Sequence, residues 1–239
     1  MLLQLVAPPG EPRPGICFTC RTWTDLEGEC WNCCTNREVL GFDPLPINVV
    51  TLYRKPSSVR DWLTQYKGRA TEEDPLEPSY KPLVEAMLGR FIIEHGDVLE
   101  ERLGGFDSVQ VVPSSMSHRS PPHPLDAVVD NLGLDRPRVQ LLAVGTEELN
   151  WTQPSPNGYR IMSEFPPQRI LLIDDVHTTG SRSNSAAYTL RNAGHQVAGI
   201  LVIGRRVNPG YKAGVQEFWE QQVSLPYDWR SSPGLVRNQ

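Results

Sequence analysis

Residues 169–190 read RILLIDDVHTTGSRSNSAAYTL. Four aliphatic side chains, Ile170 to Ile173, run directly into Asp174 and Asp175. Thr178-Thr179-Gly180-Ser181 follows, and then a stretch that suits a helix over Asn184–Ala193, with Gly194 placed to cap it. A short continuous apolar run bounded by turn residues reads as a strand buried on both faces. The next strand, VAGILVIG (197–204), comes immediately after the helix. Strand, helix and strand in that order are one crossover unit of a parallel sheet, which sets the fold class as α/β: an open, mostly parallel sheet flanked by helices.

The segments on either side extend the pattern. INVVTLY (47–53) and VQVV (109–112) are further strands, and VQLLAV (139–144) reads as one more. Helices are expected at Val59–Tyr66, capped by Ser57 or Ser58, and at Leu125–Leu132. From Tyr80 to Leu103 the apolar positions Leu83, Val84, Met87, Leu88, Phe91 and Ile92 recur at helical spacing. Residues 145–168 form a long polar stretch with Pro154, Pro156 and Gly158, expected to be a lid-like loop. A short helix at Val215–Gln222 and a frayed polar end complete the chain. The expected organisation is a cysteine-bearing unit at 1–40, an α/β domain at 41–210 and a tail at 211–239.

In an open parallel sheet, ligands bind beyond the carboxyl ends of the strands, where Asp174 and Asp175 fall. Backbone N–H groups at the start of the following helix make an anion site, and Gly180 lets the backbone approach closely. The carboxylates would repel a phosphate resting on them. They suit sugar hydroxyls, or a bound Mg²⁺. A ribose 5-phosphate satisfies both halves, with its phosphate in the turn and its hydroxyls on the acids.

Composition narrows the classes. The chain has 239 residues, a formal net charge of −5 and 39% hydrophobic residues. No apolar run reaches the roughly 18–20 residues of a membrane span. The acidic balance argues against bulk nucleic-acid binding and leaves room only for a local basic patch. The start MLLQLVAPPGEPRP lacks a basic segment and breaks at Pro8-Pro9, so a secretory leader is not expected and a cytoplasmic location is. All five cysteines lie between residues 17 and 34. Cys17-Phe-Thr-Cys20 and Cys30-Trp-Asn-Cys33 are two CxxC pairs separated by nine residues, the spacing of two knuckles that share a tetrahedral Zn²⁺. The zinc is expected to be structural, and Cys34 is left over. A diphosphate would need cations and hydrogen-bond donors, for which Lys67, Arg119, Ser114 and Ser115 are candidates, with Arg69 and Arg160 further ones.

IDDVHTTGS resembles the phosphoribosyl-diphosphate (PRPP) motif of the type I phosphoribosyltransferases: a hydrophobic strand, two acids, two further residues, then Thr-Thr-Gly and a small residue. His177 stands where an aliphatic is usual. The resemblance implies that Asp174 and Asp175 hold the ribose hydroxyls and act as the catalytic acids of the site. It implies that Val176, His177, Thr178, Thr179, Gly180 and Ser181 wrap the 5-phosphate. A cysteine knuckle ahead of such a motif is similar to the competence protein F (ComF-like) branch of that family. Tyr66-Lys67-Gly68, the VQVVPSS stretch (109–115) and Asn157-Gly158-Tyr159-Arg160 agree with that branch. The resemblance implies Mg²⁺-dependent transfer of phosphoribosyl from PRPP to an acceptor that the sequence does not identify, with release of pyrophosphate. Another branch-consistent expectation is an inactive PRPP- or nucleotide-sensing protein, or one linked to DNA uptake. Oligomeric state stays open, with a homodimer the state the resemblance suggests.

Overall fold

The computed structural model describes residues 5–10, 13–67, 80–114, 123–147, 149–150 and 152–235. Ser115 and Arg119, expected to meet a diphosphate, lie outside the described residues, as do Gly68, Arg69 and His118.

Five strands form one parallel sheet: β1 (Ile47–Tyr53), β2 (Ser108–Val111), β3 (Arg138–Val139), β6 (Arg169–His177) and β7 (Gln196–Arg206). Their order across the sheet is β1-β7-β6-β2-β3. From β2 the chain steps outward to β3. From β6 it steps the other way to β7, so the direction of winding reverses between β6 and β2, and a crevice opens there beyond the strand ends. β4 (Leu142–Val144) and β5 (Tyr159–Ile161) form a separate antiparallel pair.

Alternation along β6 explains the two layers. Ile170 and Leu172 pack on one face of the sheet, against Ala186, Ala187 and Leu190 of α5 (Ser181–Asn192). Leu171 and Ile173 pack on the other, against Leu88, Phe91 and Leu99 of α3 (Lys81–Leu103), with α2 (Ser58–Gln65) and α4 (Pro124–Asn131) beside it. Both faces are covered, as an all-parallel sheet requires. Helix α3 ends where expected, at Gly104 with φ +69°, whose N–H bonds the Glu101 carbonyl while Gly105 bonds Glu100.

Several elements differ from the sequence expectation. VQLLAV is not one strand. Val139 ends β3, and Leu142 begins β4 in the other sheet. At the break the Leu141 N–H turns onto the Gln110 side chain, 2.7 Å away. The 145–168 stretch contains β5, and Tyr159 of that strand is buried with its hydroxyl donating to the Pro113 carbonyl at 2.9 Å. The cysteine-bearing segment contains a helix, α1 (Trp31–Leu40), which starts from the second CxxC pair with Cys30 as its N-cap. After α6 (Ala213–Ser224) the chain end is docked rather than frayed as far as Leu235. Val49 and Gly234 exchange two backbone hydrogen bonds of 2.8 Å, and Val6 pairs with Leu52. Both chain ends thus cover the exposed edge of β1.

Candidate phosphate and metal sites

Residues 174–177 close β6, and the chain then turns through Thr178–Gly180 into α5. Gly180 has φ +83°. A Cβ there would sit 2.8 Å from both Asn184 Nδ2 and His177 Cε1, so the turn accepts only glycine without rearrangement. The carbonyls along the turn are held from within the protein. Arg205 Nη1 donates to the His177 carbonyl at 3.3 Å and the Thr178 carbonyl at 2.8 Å. Asn36 Nδ2 donates to the Thr179 carbonyl at 2.9 Å. The Gly180 carbonyl takes bonds from the Asn184 amide and its side chain, both at 2.9 Å. In a trans peptide the N–H points opposite to the C=O. Pinning these carbonyls inward therefore turns the amides of residues 178–181 away from the groups that hold the carbonyls, with the Ser181 amide also donating to Thr179 Oγ1 at 3.4 Å. Thr179 Oγ1 and Ser181 Oγ, 2.9 Å apart, complete the rim.

The turn lines a cleft of about 580 Å³ shared with both aspartates. Lys55, Arg60, Lys67, Arg182 and Arg206 lie on the same walls, so cations outnumber the carboxylates and the cleft as a whole favours an anion. The two acids differ. Asp175, 4% exposed, accepts from the Tyr66 hydroxyl at 2.7 Å and pairs with Lys67 through the same oxygen. Burial pushes its carboxyl up, but Lys67 and Tyr66 outweigh burial and hold it below the ordinary carboxylate range. Asp174, 9% exposed, has one oxygen 2.9 Å from the Asp175 amide. Burial first, then the Asp175 charge, push it up to about 7. The corner is thus an open cleft, with one oxygen of each acid already engaged by the protein.

The candidate residues are distributed unevenly. Asp174 to Ser181 and Lys67 come together on this cleft. The His177 ring is buried and turned toward Cys20. Ser114 lines a neighbouring, more apolar cleft of about 460 Å³ with Val111, Pro113, Leu142, Val144, Arg160 and Met162. Lys67 lies on both clefts. Sequence reasoning missed Arg182, Arg205, Arg206 and Asn36. The adjacent Arg205 and Arg206 at the end of VAGILVIGRR were the available signal, because β7 lies beside the acid-bearing strand and pairs His177 with Arg205.

Cys17, Cys20, Cys30 and Cys33 are buried, and their sulfur atoms all lie within 4.8 Å of one another. Cys17 Sγ is 3.7 Å from Cys33 Sγ, and Cys20 Sγ is 3.5 Å from Cys30 Sγ. None is disulfide-bonded. Zn–S bonds of about 2.3 Å in a tetrahedron put the sulfur atoms about 3.8 Å apart, so the donor set and its spacing fit a structural zinc. Cys34, half-buried on α1, is outside the cluster. The four cysteines belong to the same apolar cluster as Ile47, Ile170 and Ile200 of the sheet.

No protein-family model matches the chain, and no curated protein matches it. Among solved structures the chain is similar to UMP synthase of Leishmania donovani, with 18% identity and a TM-score of 0.35. The match covers 67% of this chain and 33% of that one, so this chain spans about a third of that structure's length. Among the described residues no helix is long and apolar enough to cross a membrane.

Proposed function

We propose that this chain binds PRPP beyond the end of β6 and is a phosphoribosyltransferase similar to the competence protein F branch. It would transfer phosphoribosyl to an acceptor not yet identified and release pyrophosphate. One observation carries the reading: the carbonyls of residues 177–180 are all held inward beside two acids, in a cleft where cations predominate. On this reading the amides and hydroxyls of residues 178–181 take the 5-phosphate, and Asp174 and Asp175 take the ribose hydroxyls. In the reaction the bond from C1 to the diphosphate oxygen breaks and its electron pair leaves with pyrophosphate. The acceptor's lone pair forms the new bond at C1. The oxocarbenium character that develops at C1 lies near Asp174 and Asp175.

Lys67 has a double role in this scheme. It neutralises Asp175 in the free protein. With PRPP present it would move to the leaving diphosphate, at the boundary between the two clefts. The acceptor would occupy the apolar 460 Å³ cleft. Mg²⁺ bound with the diphosphate would supply further charge neutralisation, held on the protein side by the remaining oxygens of Asp174 and Asp175. Residues 1–40 would be the metal unit, 41–210 the ligand-binding domain and 211–239 a tail. A cytoplasmic location, where thiols stay reduced, belongs to the same reading.

The test is calorimetric titration of PRPP with Mg²⁺, followed by a pyrophosphate-release assay over a panel of bases and amines. Binding is expected, and Asp174→Asn with Asp175→Asn should weaken it at least about tenfold with the fold retained. Unchanged affinity in that double variant would defeat the proposal. A second reading, a PRPP or nucleotide sensor without turnover, is favoured by the engagement of Asp175 with Tyr66 and Lys67. Tight binding with no pyrophosphate released for any acceptor would decide for the sensor.

A further inference from the structure

Arg205 is 3% exposed and sits between the cysteine cluster and the phosphate turn. On one side its Nε donates to the Cys20 carbonyl at 2.9 Å and its Nη2 to Cys20 Sγ at 3.4 Å. On the other, Nη1 holds the His177 and Thr178 carbonyls. A second tie runs parallel to the first. Helix α1 starts from the Cys30–Cys33 knuckle, and one turn into it Asn36 bonds the Thr179 carbonyl at 2.9 Å. Three successive carbonyls of the turn are therefore held by donors that the cluster itself positions.

A buried guanidinium needs an anionic partner and fixed acceptors. A divalent zinc on four thiolates is a dianionic centre, and it fixes the Cys17–Cys20 knuckle that presents the Cys20 carbonyl and sulfur to Arg205. Without the ion the knuckle is released, Arg205 loses that anchor, and the His177 and Thr178 peptides lose the donor that orients them. Affinity at the turn then falls, because the ligand must order the amides itself.

We propose that Arg205 is a positioning residue, assisted by Asn36, that couples occupancy of the four-cysteine centre to affinity at the phosphate turn. Metal and a phosphorylated ligand then bind with positive cooperativity. The inference rests on the phosphate-site reading above. Coupling between two binding events is reciprocal, so ligand in the turn must also retain metal in the centre.

The test uses the full zinc-loaded chain. Zinc release to a chromogenic chelator that ignores Mg²⁺ is timed with and without saturating ribose 5-phosphate or PRPP, saturation being established separately by calorimetry. Ligand should slow release about fivefold or more. In Arg205→Met the two rates should coincide, and in Arg205→Lys zinc should be retained while the ligand effect is lost, because a lysine cannot bridge both sides. The wild-type comparison stands even if the variants fold poorly. Equal release rates in wild type at saturating ligand overturn the coupling and leave the phosphate site intact. Failure of both ligands to bind the loaded protein overturns the phosphate-site reading, and the coupling with it.

Discussion

Asp174 and Asp175 are chain neighbours with opposite electrostatic fates. Tyr66 and Lys67 bond directly to Asp175. Asp174 is left buried beside a charge of its own sign, and its carboxyl is pushed up to about 7. Between the ordinary carboxylate range and about pH 7, an unfolded chain has lost this proton and the folded chain has kept it. Asp174 therefore makes stability fall as pH rises through that window. Asp174→Asn should melt higher than wild type at about pH 8, by about 2–4 °C per kcal/mol relieved, and show little difference at about pH 4. A lower melting temperature for the variant at the higher pH would contradict this. Because sugar hydroxyls and Mg²⁺ both need the carboxylate, PRPP affinity should rise with pH up to and through about 7, which calorimetry at several pH values can follow. Gly180→Ala forces a side chain into φ +83° and onto Asn184 and His177. It should destabilise the fold by about 1–3 kcal/mol and weaken phosphate binding, read from denaturant melts and titration.

At the scale of elements, two structures meet at the turn: the β6–α5 connection and the cysteine centre. The second CxxC pair is the start of α1, so the cysteine cluster, the helix and Asn36 form one mechanical unit. Cys20→Ser or Cys33→Ser should lose stoichiometric zinc and lower the melting temperature by several degrees. Cys34→Ser should keep one zinc per chain, because Cys34 lies outside the cluster. Metal analysis with parallel melts separates the outcomes, and loss of zinc in Cys34→Ser would require a different ligand set. The sequence made the central elements readable for physical reasons. RILLI and VAGILVIG are too apolar to be anything but interior, and the α3 segment repeats its apolar side chains at helical spacing. The paired CxxC spacing disclosed its sulfur cluster directly. α1 was not readable, because WNCCTNREVL has no regular apolar stripe. VQLLAV was misread because an uninterrupted apolar run gives no sign of a strand that leaves one sheet for another.

Over the whole molecule, both chain ends close on β1, which would otherwise present an open strand edge. Tyr227 reinforces this by donating to the Val50 carbonyl at 2.9 Å. Arg21 links the ends to each other through the Gly10 and Leu235 carbonyls, both at 2.9 Å. Deleting residues 226–239 should uncover that edge and promote association, seen as concentration-dependent light scattering; a monodisperse truncated chain would show that the tail is dispensable. Such long-range closures escape a reading along the chain. So does Arg205, whose partners Cys20 and His177 are 185 and 28 residues away. The candidate site was readable as a string of residues, DDVHTTGS, but not as an arrangement. Which carboxylate is engaged and which cations gather there depend on contacts between distant segments. The most direct measurement is a crystal structure of the protein soaked with PRPP and Mg²⁺. The 5-phosphate is expected against the amides of residues 178–181, the ribose hydroxyls on Asp174 and Asp175, and Lys67 displaced from Asp175. A ligand bound elsewhere, with Tyr66 and Lys67 still closed on Asp175, would contradict it.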